Sequence, residues 1–211
     1  MLIDKGNSMK KVLLFLSAFV LLLVPGCAHY KARPLKKLTI NAPTSKNEQF
    51  LALSYTMFDC DDCIAYLGRD LLAQGYQPVQ IEFTNHSKYS FYLSENCFNI
   101  PQAPIDVVAK LVYTDTTGRA VGYGVAGLFI WPLVIPAIVD GIGSAQANEQ
   151  LDADFARKAL CDRLVTKYNS ANGLIFVPVE EFNPNFTLTV TSIETDKEFI
   201  LSPKNSRITL H

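Results

Sequence analysis

Two cysteines separated by two acidic residues are the side chains in this sequence best placed for chemistry. Cys60 and Cys63 follow a predicted strand and open a predicted helix, a position in which C-x-x-C motifs carry out thiol–disulfide exchange. Such exchange needs a thiolate, which positive surroundings stabilise. Here Asp59, Asp61 and Asp62 surround the thiols, and like-charge repulsion raises a thiol pKa. The sequence therefore favours a structural disulfide over redox catalysis at this motif.

An even number of cysteines follows position 27, and they are Cys60, Cys63, Cys97 and Cys161. In an oxidising compartment such cysteines form disulfides, with three pairings available. We expect one of the first two to bond Cys97, because the helix and hairpin that carry them are predicted neighbours. A four-thiolate zinc site needs a second close pair of cysteines, which Cys97 and Cys161 do not supply, so no metal site is predicted.

The remaining motifs do not complete a catalytic site. Residues 122–127 match G-x-G-x-x-G, but Pro132 interrupts the helix that a dinucleotide phosphate would need. Close helix packing explains these glycines better. Apart from the terminal His211, His86 is the only histidine in residues 38–211, and no G-x-S-x-G, H-E-x-x-H or P-loop pattern occurs. The sequence therefore predicts neither an enzyme nor a bound cofactor.

An uncharged run near the N-terminus follows two lysines. Lys10 and Lys11 precede the apolar residues 12–24, which rise only about 20 Å as a helix, short of a bilayer core of about 30 Å. That length is typical of a signal peptide, with an uncleaved anchor as the alternative. Met9 makes the better start of this segment, so residues 1–8 are interpreted as an extension.

The residues after this run resemble the lipobox of bacterial lipoproteins. Val24, Gly26 and Cys27 match its pattern, and Pro25 is a departure from it. The resemblance implies acyl chains, palmitate among them, on Cys27 and removal of residues 1–26. Two or three acyl chains anchor a protein stably, which one chain does not.

The lipoprotein resemblance covers residues 9–27 alone and implies a place in the cell envelope. Ala28, where an inner-membrane lipoprotein has Asp, implies the periplasmic face of the outer membrane, with the inner membrane and the cell surface as alternatives. Residues 27–37 then form a lipid-anchored tether with four cations. The tether either touches anionic headgroups or is a solvated linker.

Composition limits the class of protein further. The 211 residues carry 19 Lys+Arg against 20 Asp+Glu, for a formal net charge of −1. A general nucleic-acid binder usually presents a basic face, so nucleic acid is not an expected partner. An apolar share of 49% with 18% charged residues is enough for a hydrophobic core.

Strand and helix patterns predict one mixed α+β domain over residues 38–211. Alternating apolar residues indicate strands, and amphipathic stripes indicate helices. The predicted strands are 50–58, 174–179, a hairpin of 79–83 with 89–93, and a hairpin of 186–191 with 198–201. The predicted helices are 60–74 closed by Gly75, 149–168 capped by Asn148, and a short helical or extended stretch at 104–113. This set favours an antiparallel Ig-like β-sandwich core with inserted helices.

One segment of the domain, residues 120–139, carries no charge and holds several glycines and prolines. A bend at Trp131–Pro132 favours an apolar helical hairpin within an insertion at about 120–147. A re-entrant loop and a true membrane span are the alternatives. The residues expected to contact a membrane or a partner are Val121, Tyr123, Leu128, Phe129, Trp131, Leu133 and Ile135.

Together these patterns predict a non-catalytic, lipid-anchored envelope protein with a structural or interaction role. Its expected partners are the membrane, through the anchor, and other envelope proteins, through residues 120–142, because exposed apolar stretches mark contact surfaces. One alternative is an envelope enzyme, either a thiol–disulfide enzyme or one of another kind. The other is a module that binds lipid or glycan in a cleft of the sandwich.

Overall fold

A computed structural model describes residues 30–38, 50–113, 134–160 and 162–205 of the chain. The chain divides into two compact units, one of Tyr30–Tyr113 with Glu149–His211 and one of Met1–His29 with Thr114–Asn148. In the second unit the described residues, 134–148, are helical. The strands and the surface depressions discussed below all belong to the first unit.

The described residues contain both helices and strands. In chain order the elements are β1 (Leu51–Met57), α1 (Cys60–Leu67), β2 (Tyr76–Asn85), β3 (Phe91–Leu93), α2 (Ile105–Leu111), α3 (Val134–Lys158), β4 (Arg163–Val165), β5 (Ser170–Pro178), β6 (Leu188–Thr191), β7 (Glu198–Leu201) and β8 (Lys204–Asn205). Short 3-10 turns occur at Leu72–Gln74, Glu95–Cys97 and Val179–Glu181. Helices beside mainly antiparallel strands confirm the predicted α+β class.

The larger sheet has the strand order β5-β2-β1-β8. β2 lies in its interior and pairs antiparallel with β1 on one side and with β5 on the other. Ile81 of β2 is the register partner of Tyr55 in β1 and of Gly173 in β5. β8 pairs with β1 in parallel. Because β2 has a partner along both edges, no further strand can join it.

Two smaller sheets, β3 with β4 and β6 with β7, share one hydrophobic core with the larger sheet. An isolated bridge between Phe91 and Ser192 connects the two small sheets. The rings of Phe83 in β2 and Phe91 in β3 meet edge to face, with centroids 5.9 Å apart. The core therefore lies between the larger sheet and this second layer of strands.

The opposite face of the larger sheet is also covered. The rings of Phe155 in α3 and Phe176 in β5 stack with centroids 5.6 Å apart. Gln80, Glu82 and Thr84, which alternate with the core residues of β2, are only 1%, 3% and 9% exposed. Polar residues that alternate along a strand usually indicate a solvated face. Here they are buried, so the pattern predicts the strand but not its surroundings.

The hairpin predicted from residues 79–83 and 89–93 is wrong in its pairing. β2 takes its partners from β1 and β5, whereas β3 pairs with β4. The turn between them is organised by Asn85, whose side-chain oxygen accepts a hydrogen bond from the Ser87 N–H at 2.9 Å. The Asn85 amide donates to the Tyr89 carbonyl at 2.7 Å. This turn carries the chain out of the larger sheet into the second layer.

The helix predicted over residues 60–74 ends earlier. α1 stops at Leu67 because Gly68 has a left-handed backbone, with φ of 66°, and donates its N–H to the Ile64 carbonyl. Such a glycine is a common helix terminator. Gly75, which was expected to close the helix, closes the following 3-10 turn instead.

The helix predicted over residues 149–168 is displaced along the chain. α3 begins before residue 149, so Asn148 lies inside it and is not its N-cap. The chain leaves the helix after Lys158, because the Leu160 N–H donates to the Leu174 carbonyl of β5 at 3.0 Å. Residues 163–165 then form β4 instead of a fifth helical turn.

Several predicted elements are confirmed. The strand predicted at 50–58 is β1, and the strand predicted at 174–179 forms most of β5. The hairpin of 186–191 with 198–201 is the antiparallel pair β6–β7. The stretch at 104–113 takes the helical alternative, as α2.

Candidate functional site

The C-x-x-C motif lies at the start of α1, in the expected position. Asp59 caps the helix, because its side chain accepts a hydrogen bond from the Asp62 N–H at 2.8 Å. Cys60 is exposed and Cys63 is buried, and both are free thiols. The Cys60 thiol donates to the Asp70 carboxylate at 3.4 Å. The acidic residues thus cap the helix and hold a protonated thiol.

Both thiols of the motif are stabilised in the protonated form. The hydrogen bond to Asp70 and the charge of that carboxylate raise the pKa of Cys60. Burial raises the pKa of Cys63 to about 11. Because the thiolate is the nucleophile in thiol–disulfide exchange, the surroundings of this motif disfavour the reactive form at neutral pH.

The third described cysteine belongs to a turn elsewhere in the fold. Cys97 Sγ accepts a hydrogen bond from the Ser94 N–H at 3.4 Å. Cys60, Cys63 and Cys97 are all free, so the expected bond from Cys97 to one of the other two is absent from the structure. The reason is local, since the thiols of Cys60 and Cys97 each bond to a residue within ten positions of it in the chain, Asp70 and Ser94. Two further cysteines lie outside the described residues, and they are Cys27 and Cys161.

Residues 30–38, which include most of the predicted tether, lie against the domain, and we call them the strap. The two ends of the strap are buried, with Tyr30 8% and Leu38 7% exposed. The Tyr30 hydroxyl donates to the carboxylate of Asp154 in α3 at 2.7 Å. Burying a large apolar side chain stabilises a contact by about 2 kcal/mol. The strap is therefore anchored at both ends.

The middle of the strap is bound through its backbone. The Arg33 N–H donates to the Ala65 carbonyl of α1 at 2.9 Å. The Lys36 carbonyl accepts hydrogen bonds from the side-chain amides of Gln80 and Asn172, at 2.5 Å and 2.9 Å. The strap thus supplies acceptors to polar side chains of β2 and β5 that are mostly hidden from water.

Gly68, which ends α1, also gives the strap room. A Cβ atom at this position would lie 2.9 Å from the Lys31 carbonyl oxygen and 3.1 Å from the Tyr30 ring. The guanidinium of Arg69 lies 5.8 Å from the centre of the same ring. One glycine therefore serves both the helix end and the close approach of the strap.

A buried carboxyl group, Glu82, lies beneath the C-terminal end of the strap. It accepts hydrogen bonds from the Leu38 N–H and the Ser170 hydroxyl, while Oε2 has no partner among the residues that the structure describes. Burial raises the pKa of Glu82, and the Leu38 hydrogen bond and the nearby charge of Lys37 oppose that rise. This end of the strap thus covers a group that ionises reluctantly.

A depression of about 410 Å³ lies between the strap and the end of α3, and we call it the basic pocket. Its charged lining residues are Lys37, Asp154, Arg157 and Lys158. The Asp154 carboxylate accepts a hydrogen bond from Lys158 and lies 3.5 Å from the Arg157 guanidinium. With three cations and one carboxylate, the pocket favours an anion.

A second depression, of about 570 Å³, lies between α2, α3 and β5, and we call it the acidic cleft. Its charged lining residues are Glu95, Asp106, Lys110, Asp152 and Asp162. Its accessible apolar lining residues include Ala103, Pro104 and Ile105. Four carboxylates against one ammonium give this cleft the opposite charge to the basic pocket.

A tyrosine organises the inner wall of the acidic cleft. The Tyr113 hydroxyl donates to the Asp152 carboxylate, and this hydrogen bond raises the pKa of Tyr113 to about 12. Lys110 pairs with Asp106 at 3.0 Å, one helical turn away along α2. Carboxylates accept hydrogen bonds from hydroxyl and amine groups. The cleft therefore suits a polar ligand that carries such donors.

Two kinds of feature are absent from residues 30–38, 50–113, 134–160 and 162–205. Within them, no group of three or more His, Cys, Asp or Glu side chains is arranged to hold a metal ion. No helix of these ranges has both the length and the apolar character needed to cross a membrane.

Most of the residues predicted to contact a membrane or partner lie outside the described part of the chain. These are Val121, Tyr123, Leu128, Phe129, Trp131 and Leu133. Ile135 falls within α3. The G-x-G-x-x-G pattern at 122–127 also lies outside the described residues. The role predicted for this segment therefore stays a prediction.

Sequence reasoning did not find the strap or either depression. The four cations of the tether suggested a solvated or lipid-facing linker. Burial of Tyr30 and Leu38 was therefore not predicted. The available signal was a single large apolar residue at each end of a basic run. A glycine in the middle of a predicted helix, Gly68, was the second signal.

Comparisons with protein-family models, with curated proteins and with solved structures give no significant match to this chain. No relative therefore supplies a function by similarity.

Proposed function

We propose that this chain is a non-catalytic lipoprotein of the bacterial cell envelope that works by contact. The lipobox-like residues 24–27 after an apolar run support acylation of Cys27 and removal of residues 1–26. The most fitting location is the periplasmic face of the outer membrane, because Ala28 follows the cysteine. The molecular partner is another envelope protein or the membrane itself.

The observation that carries the proposal is the docked strap. Only two residues separate Cys27 from Tyr30, whose ring is buried against the domain. A chain spans at most about 3.6 Å per residue, so the acylated cysteine lies within about 11 Å of the domain. A domain held this closely is suited to act at the membrane surface, and not at a distance from it.

The state of the thiols supports a role without catalysis. The carboxylate of Asp70 raises the pKa of Cys60, and burial raises that of Cys63. A redox enzyme of the envelope needs a thiol with a lowered pKa. The C-x-x-C motif is thus better suited to structure than to exchange.

The apolar segment 120–142 remains our candidate for a contact with lipid or with a partner protein. Its support is the sequence, which has twenty uncharged residues from 120 to 139. Long apolar surfaces on envelope proteins mark interaction sites when they are exposed. We also retain the proposal of an Ig-like β-sandwich, supported by the shared core of the larger sheet and the two smaller sheets.

The test is a comparison of four forms in their native host, which are the natural chain, Cys27→Ala, a deletion of residues 120–142, and that deletion combined with Cys27→Ala. Membranes are extracted in turn with high salt, alkaline carbonate and detergent. We expect the natural chain to need detergent and Cys27→Ala to be released by carbonate. Intact mass of the purified natural chain should show the acyl chains on a protein that begins at Cys27.

Two outcomes separate the parts of this proposal. A natural chain of unmodified mass that still carries residues 1–26 overturns the lipoprotein assignment. Cys27→Ala that resists carbonate until residues 120–142 are also removed shows that the apolar segment itself enters the bilayer. In that case the acyl anchor is not the only attachment.

A second candidate function, a ligand-binding module, is favoured by the acidic cleft. Its volume of about 570 Å³ lies within the range of small-molecule sites. Carboxylates beside apolar lining residues suit a glycan, whose hydroxyls donate and whose C–H faces pack on Pro104 and Ile105, better than they suit a lipid. Glycan-array binding that is lost in Asp152→Asn, with Glu198→Gln as the control outside the cleft, supports this function. Equal binding by both variants removes it.

A further inference from the structure

The basic pocket combines a cavity, an excess of positive charge and closeness to the proposed anchor. Its cations come from two separate parts of the chain, Lys37 from the strap and Arg157 and Lys158 from α3. The single carboxylate in its lining is Asp154. A site assembled from the strap and the helix exists only while the strap is docked.

The carboxylate of the pocket is already engaged. Asp154 accepts hydrogen bonds from the Tyr30 hydroxyl and from Lys158, whose side chain is only 6% exposed. Arg157 contacts the same carboxylate from 3.5 Å, but its side chain is 74% exposed. Lys37 is exposed as well. Two cations can therefore turn toward an anion without leaving Asp154 unpaired.

The negative end of the α3 dipole is offset by a cation outside the pocket lining. Arg163 donates to the Ala159 carbonyl at 2.8 Å and to the Arg157 carbonyl at 3.4 Å. A helix C-terminus otherwise repels anions. A guanidinium such as that of Arg157 also matches two phosphate oxygens at once, which a lysine does not.

The rim of the pocket has the composition of a membrane-surface segment. Pro34 is exposed and Leu35 half-buried, and both line the pocket between exposed Arg33 and Lys36. Apolar tips among cations lie at the boundary between headgroups and acyl chains. Membrane lipids are also the anions nearest to this site, because Ala32 of the lining is five residues after Cys27, a span of at most about 18 Å.

We propose that the basic pocket binds the phosphate of an anionic phospholipid headgroup and so fixes the orientation of the domain on the membrane. Lys37 and Arg157 contact the phosphate, and Lys158 holds Asp154 away from it. The proposal rests on the proposed lipid anchor at Cys27 for its setting. The anchor alone would keep the domain near the membrane, whereas the basic pocket would also select an anionic lipid.

The experiment uses the purified full-length protein in detergent. It is titrated with dioctanoyl phosphatidylglycerol or dioctanoyl phosphatidylcholine, and bound lipid is counted by native mass spectrometry. Each cation near a membrane surface contributes a few-fold in affinity, so we expect the anionic lipid to bind about tenfold more tightly. The double variant Lys37→Gln/Arg157→Gln should lower that preference to about twofold or less.

Two controls make the result specific. Lys88→Gln/Lys197→Gln removes the same amount of charge from residues outside the pocket and should keep the tenfold preference. Lys37→Glu alone, at an exposed side chain, should lose the preference if the double variant fails to fold. Unchanged selectivity in either pocket variant, or its loss in the control, overturns the proposal.

The source of the phosphate is tested by competition. Glycerol 3-phosphate and inorganic phosphate should displace the bound lipid only at concentrations at least about tenfold higher than the short-chain lipid itself, because they lack acyl chains to contact the rim. Displacement at equal concentration overturns the lipid source and assigns the pocket to a free phosphate compound.

Failure of this proposal is distinguishable from failure of the lipid anchor. The acylation of Cys27 is measured from the intact mass of the same samples. A protein that is not acylated but prefers the anionic lipid overturns the anchor and keeps the pocket. An acylated protein with no preference overturns the pocket and keeps the anchor.

Discussion

The last turns of α3 separate two surfaces of opposite charge. Asp154 and Lys158 face the basic pocket, and Asp152 and Ala156 line the acidic cleft. Residues in an α-helix advance by about 100°, so positions two apart point in nearly opposite directions. Between the two rows the buried side chains of Leu151 and Phe155 attach the helix to the sheet.

The two surfaces show how burial changes the structural role of a hydrogen bond from tyrosine to aspartate. On the pocket side Tyr30, which is 8% exposed, donates to Asp154, and on the cleft side a half-buried Tyr113 donates to Asp152. The first pair fixes a segment of chain, the strap, whereas the second lies in the wall of an open depression. Similar side chains on one helix thus have a structural role on one side and a surface role on the other.

The substitution with the largest expected effect on stability should disturb the basic pocket and the acidic cleft together. In Gly173→Ala a new Cβ atom would lie 2.7 Å from Leu160 Cα and 2.9 Å from the Lys158 carbonyl oxygen, and neither backbone atom can move aside cheaply. We expect the free energy of unfolding to fall by about 3 kcal/mol. Urea denaturation followed by circular dichroism measures it.

The control for this substitution is Gly75→Ala. That position has φ of 83° and nothing within 4 Å of a new Cβ atom, so only backbone strain of about 1 kcal/mol is expected. Equal losses for the two variants would show that the contact of β5 with the end of α3 is not tight.

A smaller effect is expected from Gly68→Ala, which acts on the strap side alone. The variant has the same left-handed strain as Gly75→Ala, and its Cβ atom also meets the Lys31 carbonyl at 2.9 Å. We expect a total loss of about 2 kcal/mol and displacement of the strap. Trypsin cleavage after Lys31 should become faster, while the cleft keeps its structure. Cleavage no faster than in Gly75→Ala would contradict the close approach of the strap.

The two tyrosines give a direct measurement of the difference between the two sides. Tyr30→Phe removes one hydrogen-bond donor from the mostly buried carboxylate of Asp154, which keeps Lys158, and we expect a loss of about 1.5 kcal/mol in the free energy of unfolding. Tyr113→Phe leaves Asp152 open to water, so about 0.5 kcal/mol or less is expected. Chemical denaturation of both variants under one condition compares them. A larger loss of stability for Tyr113→Phe than for Tyr30→Phe would contradict the structural role assigned to Tyr30 and the surface role assigned to Tyr113.

The smallest expected effect is a difference in how the stability depends on pH, between a carboxyl group beneath the strap and one at the acidic cleft. Burial raises the pKa of Glu82 in the folded state, so its contribution is most favourable below the ordinary value of 4.5 and is lost as pH rises through the folded pKa. Glu82→Gln should therefore gain stability relative to the natural chain as the pH rises from 4 to 7, because glutamine carries no charge to bury. Urea midpoints at both pH values measure this gain.

The matched variant on the cleft side has the opposite sign. The hydrogen bond from Lys110 lowers the pKa of Asp106, so its contribution is present above the ordinary value of 3.8 and is lost as pH falls through the lower folded pKa. Asp106→Asn should thus be slightly less stable than the natural chain at neutral pH. The same pH trend for both carboxyl variants would contradict this difference between the two sides.

The sequence predicted those parts of the fold that depend on neighbours in the chain. The β6–β7 hairpin follows from local alternation around a short turn, and the helix predicted to begin at residue 60 does so, because its Asp59 cap is the neighbouring residue. The partners of β2 were not predictable, because alternation of Gln80 and Glu82 looks the same whether the polar face meets water or other parts of the chain. The strap was not predicted either, because its contacts join residues far apart in sequence.

Of the basic pocket, the sequence predicted only the part close to Cys27, which is the cluster of cations in the tether. Its cations in the tether were visible in the sequence, but Arg157 and Asp154 belong to a helix more than a hundred residues later. No spacing rule connects the two segments. The depressions on either side of α3 likewise depend on packing, which a single sequence does not show.

The pairing of β2 with β5 also determines the order in which the domain can fold. The hydrogen-bonded side chains of Gln80 and Asn172 are 92 positions apart. As the chain is made from its N-terminus, β1 and β2 can pair first, and the second edge of β2 stays open until β5 arrives. Open edges beside apolar residues such as Ile81 and Phe83 invite pairing with other chains. Contacts of such long separation form slowly. The nascent chain therefore has a long interval in which a chaperone that covers strand edges would protect it from aggregation.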